Sequence, residues 1–429
     1  MINKSRSEFT SNIITLMTGT AIAQAIPIAI SPILTRIYTP EDFGVFALFI
    51  AISAILGSVA NARYESAIIL PRKDEDAINI FALGFIVTCI VSFVCFFIIV
   101  VFNNYFTSLF ENKEIGFWLY FVPIAIFFSG LFNILNYFNN RKKNYKDLRN
   151  ATIIKSIILA IIQLLVGLFK PGASGLISGQ IISNMFSNLK LLNNILKNKK
   201  IISSISKVKI IALAKKYKDF PKHATLSSLF DNLTLQLSSI MIPKMFSFIM
   251  SGYFFLASKI VNMPATLISN SISQVYLQKI SENKNKNIKS FDILKNTLKK
   301  LFLIALPITI IGFFCSPYIF PILFGKEWVI SGEIAQYLFL IFLIRFCVSP
   351  LSSSFITSME LKKLALWQYL YFISSSTLFL IVLHLKLDLK IFLIIYVIHE
   401  YILYIIYLLL IILAVKKMDN NLKDIKCVE

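Results

Sequence analysis

The chain has 429 residues, 57% of them hydrophobic, and a mean hydropathy of +0.74. Soluble domains are typically about 45–50% apolar, so this composition excludes the soluble globular class and indicates an integral membrane protein. The net charge of +21 does not indicate nucleic-acid binding, because the basic residues lie mainly in alternate segments between apolar runs, as expected of cytoplasmic loops.

Apolar runs long enough to cross a hydrocarbon core of about 30 Å recur twelve times along the sequence. They predict helices over 10–34, 43–70, 77–102, 115–138, 151–169, 175–193, 224–243, 251–277, 301–320, 333–358, 364–385 and 391–415. We therefore predict an all-α polytopic membrane protein with twelve transmembrane helices. Residues 1–193 form an N-terminal six-helix bundle, 194–223 a cytoplasmic linker and 224–429 a C-terminal six-helix bundle.

The distribution of basic residues predicts the topology. Most Lys and Arg fall in the two terminal segments and in every second loop, which places both termini in the cytoplasm. The longest loop, 194–223, contains a stretch of mixed apolar and basic residues over 207–218. This stretch predicts either an interfacial helix that binds anionic headgroups or a solvated linker between the halves.

A weak internal repeat relates the two halves. In each half a cation ends one span, and a glycine eight residues later begins the next span. The two residues are Arg36 and Gly44 in the first half and Lys244 and Gly252 in the second, and each differs from its counterpart by 208 positions. Six spans per half predict parallel repeats about an axis along the membrane normal, with the substrate path between them.

Polar residues recur on one helical face of spans 7 and 8. Such a face indicates either the lining of an aqueous cavity or interhelical hydrogen bonding in a dry bundle. The residues predicted to line a cavity are Asn232 and Gln236 on span 7, and Asn262, Asn270 and Gln274 on span 8.

Four cations lie in or beside the spans: Arg36, Arg63, Lys259 and Arg345. A cation near the bilayer centre costs about 2.5–3.5 kcal/mol on insertion scales, so such residues usually face a cavity or a partner. We predict that these four form a cationic lumen that binds an anionic substrate, with the alternative that Arg63 is an interfacial anchor. The planar guanidinium fork suits bidentate binding of phosphate.

Acidic residues within the spans are fewer. Asp231 and Glu65 are candidates for coupling transport to an ion gradient, because a buried carboxylate can carry a proton, or else they act as counter-ions. Glu400 has the same two interpretations, and it points to a different helical face from His399. With five cysteines that form no CxxC and three scattered histidines, the sequence predicts no metal site, cofactor or catalytic residue.

Three stretches then resemble a known family. LTRIYTPEDFGVFAL at 34–48, ARYESAIILPRKDEDA at 62–77 and ILFGKEWVISGEIAQYL at 322–338 are similar to the Wzx-type O-antigen and polysaccharide flippases of the multidrug/oligosaccharidyl-lipid/polysaccharide exporter superfamily. The resemblance implies a V-shaped pair of six-helix bundles, related by a pseudo-twofold axis, around a central cationic cavity.

The resemblance also implies a function that uses no cofactor. Such proteins carry undecaprenyl-diphosphate-linked oligosaccharide repeat units between the leaflets of the bacterial inner membrane, alongside other membrane proteins of polysaccharide assembly. The family's lumenal cations correspond to Arg36 and Arg63 by motif, and to Lys259 and Arg345 by position and spacing. Lysine replaces an expected arginine, which leaves the phosphate-binding geometry open.

Two other functions remain compatible with the sequence. The first is a multidrug antiporter of the same superfamily, although a cationic lumen should repel its commonly cationic substrates. The second is a polytopic glycan polymerase or ligase, which usually carries a large periplasmic loop that this sequence lacks. The flippase interpretation, in which the protein is not an enzyme, accounts for more of the sequence.

Overall fold

A computed structural model describes residues 18–170 and 172–426, with the side chains of 223, 264–267, 270, 271, 285, 361 and 421–426 not included in the description. All regular secondary structure in the described part of the chain is helical, which confirms the predicted all-α fold. Twelve long helices correspond to the predicted spans, and residues 10–17 of the first span lie outside the described residues. The helices are α1 (Thr18–Ile37), α2 (Pro40–Gly57), α3 (Asp74–Phe110), α4 (Val122–Arg141), α5 (Tyr145–Phe169), α6 (Ser174–Leu196), α7 (Thr225–Met245), α8 (Phe248–Asn285), α9 (Phe291–Phe324), α10 (Val329–Val348), α11 (Leu361–Leu385) and α12 (Leu389–Lys426).

Among the described residues, nine helices are long and apolar enough to cross a membrane. The helices α6, α7 and α8 are more polar, and only Phe248–Met263 of α8 forms a shorter apolar stretch. A polar side chain that faces hydrocarbon without a partner costs several kcal/mol. We therefore expect the polar faces of these three helices to turn toward protein or water. In α6 they turn toward protein, since Ser183, Asn184 and Asn188 are buried.

The chain divides into two compact units, Met1–Gly252 and Tyr253–Glu429. In the first unit α5 packs along α6, α3 along α4, and α7 along α2. In the second unit α9 packs along α10, while α12 contacts α10 and α11. The bundle boundaries predicted from the midpoint loop, 1–193 and 224–429, stay a prediction.

The midpoint loop contains a helix, Lys207–Lys216, as one interpretation of its sequence predicted. Leu213 is buried in the hydrophobic core of the first unit, whereas Val208 is 77% exposed. Lys209 Nζ donates to Glu75 Oε2 at 2.8 Å, and this hydrogen bond raises the pKa of Lys209. The helix is thus anchored by apolar side chains, with Leu213 the one that is buried, and by an ion pair, and its binding to headgroups stays a prediction.

The first turns of α2 and α8 touch through glycine. A Cβ atom on Gly44 would overlap the carbonyl oxygen of Phe248, and a Cβ atom on Gly252 would overlap that of Pro40. All four residues lie in the first unit. Gly44 corresponds to Gly252, and Pro40 corresponds to Phe248, each at an offset of 208. Each glycine thus contacts the counterpart of the residue that the other glycine contacts, which is the reciprocal pattern found at a twofold axis. This reciprocity supports the predicted repeat and explains why both positions need a residue without a side chain.

Candidate functional site

The helix α2 begins with well-formed capping and ends earlier than predicted. At its start, Thr39 and Asp42 form a capping box with Pro40 in the first turn, which satisfies backbone N–H groups that have no intrahelical partner. At its end, α2 stops at Gly57, and residues 58–63 form a turn before the short helix Tyr64–Ala67. The prediction of one continuous helix over 43–70 is therefore wrong.

A buried asparagine holds this turn in place. The Nδ2 group of Asn61 donates to Thr88 Oγ1 at 2.6 Å and to the carbonyl oxygen of Gly130 at 3.1 Å. Asn61 is only 2% exposed. Because an asparagine side chain competes with the backbone for hydrogen bonds, its bonds to α3 and α4 favour the turn over further helix.

The turn places two consecutive residues in the left-handed region, Ala62 with φ 47° and Arg63 with φ 61°. Residues with a Cβ atom adopt this conformation at a cost of order 1–3 kcal/mol each, and such positions cluster at binding and switch sites. The surrounding packing must compensate for that cost. Arg63 therefore lies at a helix break inside a membrane protein, and not, as predicted, well within a helix.

The guanidinium of Arg63 is only partly paired. Its Nη1 atom lies 3.3 Å from Glu65 Oε1, and the two side chains are 34% and 4% exposed. Within the described residues, Arg63 Nε and Glu65 Oε2 are buried without a hydrogen-bond partner. Unsatisfied buried polar atoms are rare in native proteins. The exposed third of the arginine side chain is thus the part of this cluster that a ligand can reach, whereas the two unpaired atoms are buried.

A second carboxylate extends this site. Asp231 of α7 is close enough to Arg63 for a coulombic interaction. Among the described residues of α7, only Ile242 and Pro243 are buried, so its polar side chains are partly accessible. Asn232 Nδ2 donates to the carbonyl oxygen of Ser228 at 2.9 Å, and Gln236 is half-buried. The structure thus pairs Arg63 with Glu65, and Asp231 lies within the range of the Arg63 charge without a direct contact to it.

Arg36 does not belong to this cluster. It precedes α2 whereas Arg63 follows it, and 18 helical residues at 1.5 Å per residue separate their backbones by about 27 Å. Arg36 is exposed, and its Nη1 donates to the carbonyl oxygen of Pro32 at 2.6 Å. The two arginines that match the family motif therefore cannot hold the same phosphate group.

In the second unit, Arg345 of α10 is paired within the protein. Its Nε donates to Glu400 Oε2 at 2.8 Å, and its Nη2 donates to the hydroxyls of Tyr371 at 2.8 Å and Tyr396 at 3.2 Å. The guanidinium also lies 5.8 Å from the ring centroid of Tyr404. Arg345 is thus a charge with its counter-ion beside it, in agreement with the counter-ion interpretation of Glu400.

Glu400 is the residue of this cluster whose partner the sequence did not reveal. It is fully buried, at 0% exposed, in the apolar helix α12. Since a lone carboxylate in such a helix needs a partner, its presence was a signal that some cation faces it. Only the packing of α12 on α10 shows that this cation is Arg345.

The remaining predicted residues lie on α8. Lys259 is half-buried, and Asn262 and Gln274 are exposed. The side chain of Asn270 lies outside the described residues. The structure does not test the predicted roles of these four residues, which stay predictions.

These features define a class: an all-helical polytopic membrane protein with ionised residues inside its bundles. A sequence profile described as "Polysaccharide biosynthesis protein" matches residues 33–332, and the chain belongs to that family. Among curated proteins no sequence matches.

Solved structures give the fold. A multidrug resistance MATE family transporter of the MOP superfamily, in its inward-facing conformation, matches with a TM-score of 0.64 and 14% identity over 96% of this chain and 95% of that chain. A MOP superfamily transporter from Pyrococcus furiosus matches with a TM-score of 0.60 and 15% identity over 94% of each chain. At this identity the likeness shows the fold alone. Together with the family match it confirms the predicted resemblance, and the protein is a multi-pass membrane protein.

Proposed function

We propose that this protein is a flippase that moves undecaprenyl-diphosphate-linked oligosaccharide repeat units from the cytoplasmic to the periplasmic leaflet by alternating access. The observation that carries the proposal is the Arg63 turn. In a member of a polysaccharide biosynthesis family, a strained helix break holds a partly exposed guanidinium with an unsatisfied Nε. A diphosphate is the anionic group that such a substrate offers to it.

Each part of the substrate has a different physical requirement. The diphosphate needs a cationic donor, which Arg63 supplies in the first unit, while the role of Lys259 stays a prediction. The glycan needs amides, which the partly accessible side chains Asn232 and Gln236 offer. The prenyl chain remains in the acyl-chain region, because moving an isoprenoid into water would expose apolar surface at about 25 cal/mol per Å².

Ion coupling would act through the carboxylates near Arg63. Glu65 and Asp231 both interact with this guanidinium, so a proton or cation bound to either one changes the net charge seen by the diphosphate. The proposed location is the bacterial inner membrane with both termini in the cytoplasm, consistent with the basic loops. Membrane proteins that build or polymerise the same glycan are the expected neighbours.

A proteoliposome assay tests the proposal directly. Purified protein is reconstituted with a labelled undecaprenyl-diphosphate oligosaccharide, and access of an added glycosidase reports which leaflet holds the glycan. Wild-type protein should equilibrate the leaflets, and Arg63→Ala should slow this at least about tenfold, since one hydrogen bond to a charged group contributes about 1.5–3 kcal/mol. The control is Arg72→Ala, an exposed arginine. Equal rates for Arg63→Ala and wild type would exclude Arg63 as the diphosphate site.

A second candidate function is drug export, because two of the similar structures are of multidrug resistance MATE family transporters. The similar MOP superfamily transporter from Pyrococcus furiosus has a binding pocket of reverse polarity that suggests a different function for that protein. Resistance to cationic drugs on overexpression, together with no flipping of the glycolipid, would favour export. Flipping without resistance would favour the flippase.

A further inference from the structure

A polar cavity lies at the end of α4 in the first unit, where this helix meets the end of α6. Its volume is about 220 Å³, which is below the range of about 300–1,000 Å³ that drug-sized ligands occupy but is enough for about seven water molecules. The side chains that line it include those of Phe138, Asn139, Asn144, Asn194 and Asn198. We call this space the amide cavity, because four of these five side chains carry a carboxamide.

A hydrogen-bond network determines which amide atoms remain for a ligand. Asn139 is fully buried, and its Nδ2 donates to the backbone carbonyls of Leu135 at 2.9 Å and Leu191 at 3.4 Å. Its Oδ1 accepts from the Nδ2 of Asn144 at 3.1 Å and from that of Asn194 at 2.9 Å. Because the other end of each carboxamide is an acceptor, the Oδ1 atoms of Asn144 and Asn194 remain without a partner in the described part of the chain.

A carboxylate fixes the orientation of Asn194 independently. The Nδ2 of Asn194 also donates to Asp147 Oδ2 at 3.0 Å, and an ionised carboxylate can only accept hydrogen bonds. At the rim, Asn198 Oδ1 accepts from the backbone N–H of Ile201 at 3.3 Å, which leaves its Nδ2 as a donor. The amide cavity thus offers a ligand both acceptors and a donor. Hydroxyl groups match this combination, because each one both donates and accepts.

The charged side chains around the amide cavity are paired with one another. Lys142 also lines the cavity, and its Nζ lies 2.5 Å from Asp74 Oδ2. Asp147 Oδ1 lies 3.6 Å from Lys190 Nζ. A phosphate group presents only acceptor oxygens to such a site, so the two unpartnered amide oxygens disfavour it. The buried ring of Phe138 adds an apolar wall. The cavity is therefore suited to a neutral ligand with several hydroxyls and an apolar face.

The amide cavity belongs to the same unit as Arg63, and one arginine connects it to the Arg63 turn. Arg141, at the end of α4, donates from Nη1 to three backbone carbonyls within 68–71, the stretch that follows the turn, at 2.7–3.3 Å. Gly130, which the turn contacts, and Asn139 are nine residues apart on α4, or about 14 Å at 1.5 Å per residue. A glycan that extends from a diphosphate at Arg63 toward the end of α4 would meet the amide cavity.

We propose that the amide cavity binds a neutral sugar ring and that it holds one sugar of the lipid-linked repeat unit. Hydroxyls of the sugar donate to the Oδ1 atoms of Asn144 and Asn194, another accepts from the Nδ2 of Asn198, and an apolar face of the ring packs against Phe138. Uncharged sugars are selected over uronic acids, because a carboxylate would face the amide oxygens. The source of the sugar rests on the proposed function, whereas the sugar site can be tested without it.

Saturation-transfer NMR on purified full-length protein in nanodiscs tests the sugar site. The probes are glucose, galactose, their 2-acetamido derivatives and glucuronate, and the neutral sugars should bind more tightly than glucuronate. Asn144→Ala should weaken binding about threefold to tenfold, the effect of one neutral hydrogen bond, and Asn198→Trp should abolish binding by filling the cavity. The matched controls are Asn193→Ala and Asn193→Trp, at an exposed neighbour that does not line the cavity, and they should bind as wild type does.

Three results of this measurement would overturn the sugar site. They are the absence of binding to wild type, equal binding to wild type and Asn198→Trp, and binding of glucuronate as tight as that of glucose. Asn198 is exposed, so a larger side chain there should not prevent folding, and thermal unfolding checks this. If Asn198→Trp does not fold, the comparison of Asn144→Ala with Asn193→Ala decides in its place.

The proteoliposome assay shows whether the sugar comes from the substrate. Asn198→Trp should raise the glycolipid concentration at half-maximal flipping at least about threefold, through the lost hydrogen bonds. Undecaprenyl diphosphate without a sugar should inhibit the variant and wild type equally, because Arg63 is unchanged, whereas a structural defect would alter both quantities. Sugar binding that depends on Asn198, with an unchanged half-saturating concentration, would assign the cavity to a free sugar and overturn its role in holding the glycan. Sugar binding without any flipping by wild type would refute the proposed function and leave the sugar site.

Discussion

Removing the guanidinium of Arg345 while keeping Glu400 leaves a fully buried carboxylate without its cation. Breaking one partner of a buried ion pair typically costs about 3–5 kcal/mol, because the remaining charge is uncompensated. In Arg345→Met the Tyr371 hydroxyl still donates to Glu400, so part of the solvation survives. The variant should therefore lose stability toward the lower end of that range.

The control is R345M/E400Q, which removes both charges. Replacing a buried pair by groups of similar volume is often neutral or stabilising, so the double variant should be more stable than Arg345→Met although it carries one more substitution. For a unit of this size, Tyr253–Glu429, each kcal/mol changes the melting temperature by about 2–4 °C. Arg345→Met should melt roughly 6–12 °C below wild type, and the double variant should recover most of that difference.

Thermal unfolding of detergent-purified protein, followed by size-exclusion chromatography of the heated samples, measures both shifts. Acidification should restore part of the stability of Arg345→Met, because a protonated carboxyl needs no counter-ion. It should change the double variant little. Equal melting temperatures for the two variants, at every pH, would refute the assignment of Glu400 as the counter-ion of Arg345.

Three other substitutions test how the first unit builds its site. Asn61→Ala should cost about 1–3 kcal/mol, because it removes two buried hydrogen bonds, those to Thr88 and Gly130, and it should slow flipping. Ser129→Ala, which loses only a bond within its own helix, should do neither. Gly44→Ala should destabilise by about 1–3 kcal/mol through overlap with the backbone of α8, while Gly57→Ala meets only a side-chain atom at 3.0 Å. Equal melting curves for these two glycine variants would contradict the proposed close contact. Leu213→Ala should cost about 2–5 kcal/mol as a cavity in the core and should increase tryptic cleavage within Lys207–Lys216. Unchanged cleavage would show that this side chain does not anchor the helix.

Part of the candidate site could be predicted because a charged residue within an apolar run can be recognised from the sequence alone. Arg63, Glu65 and Asp231 stood out in this way, and the structure pairs the first two and places Asp231 within the range of the Arg63 charge. Arg36 stood out by the same criterion, yet it lies at the opposite end of α2, because residues within one motif can be separated by a whole helix. The role of Lys259 stays a prediction.

The sequence by itself determined the all-helical polytopic fold and the approximate places of the long helices that the structure describes, except that the second one ends early, because hydrocarbon thickness sets the length of an apolar run and lipid requires backbone groups to be paired internally. It also predicted a repeat, through two glycines at an offset of 208, and the close contacts at both glycines support that prediction. Only the tertiary structure decided that α2 ends at Gly57 and that Arg63 has a positive φ, since the bonds that hold this turn come from Asn61 to other helices. It likewise decided that Arg345 is paired with Glu400, 55 residues away. The strength of a charge pair depends on the distance between its members, and that distance is set by how the helices pack.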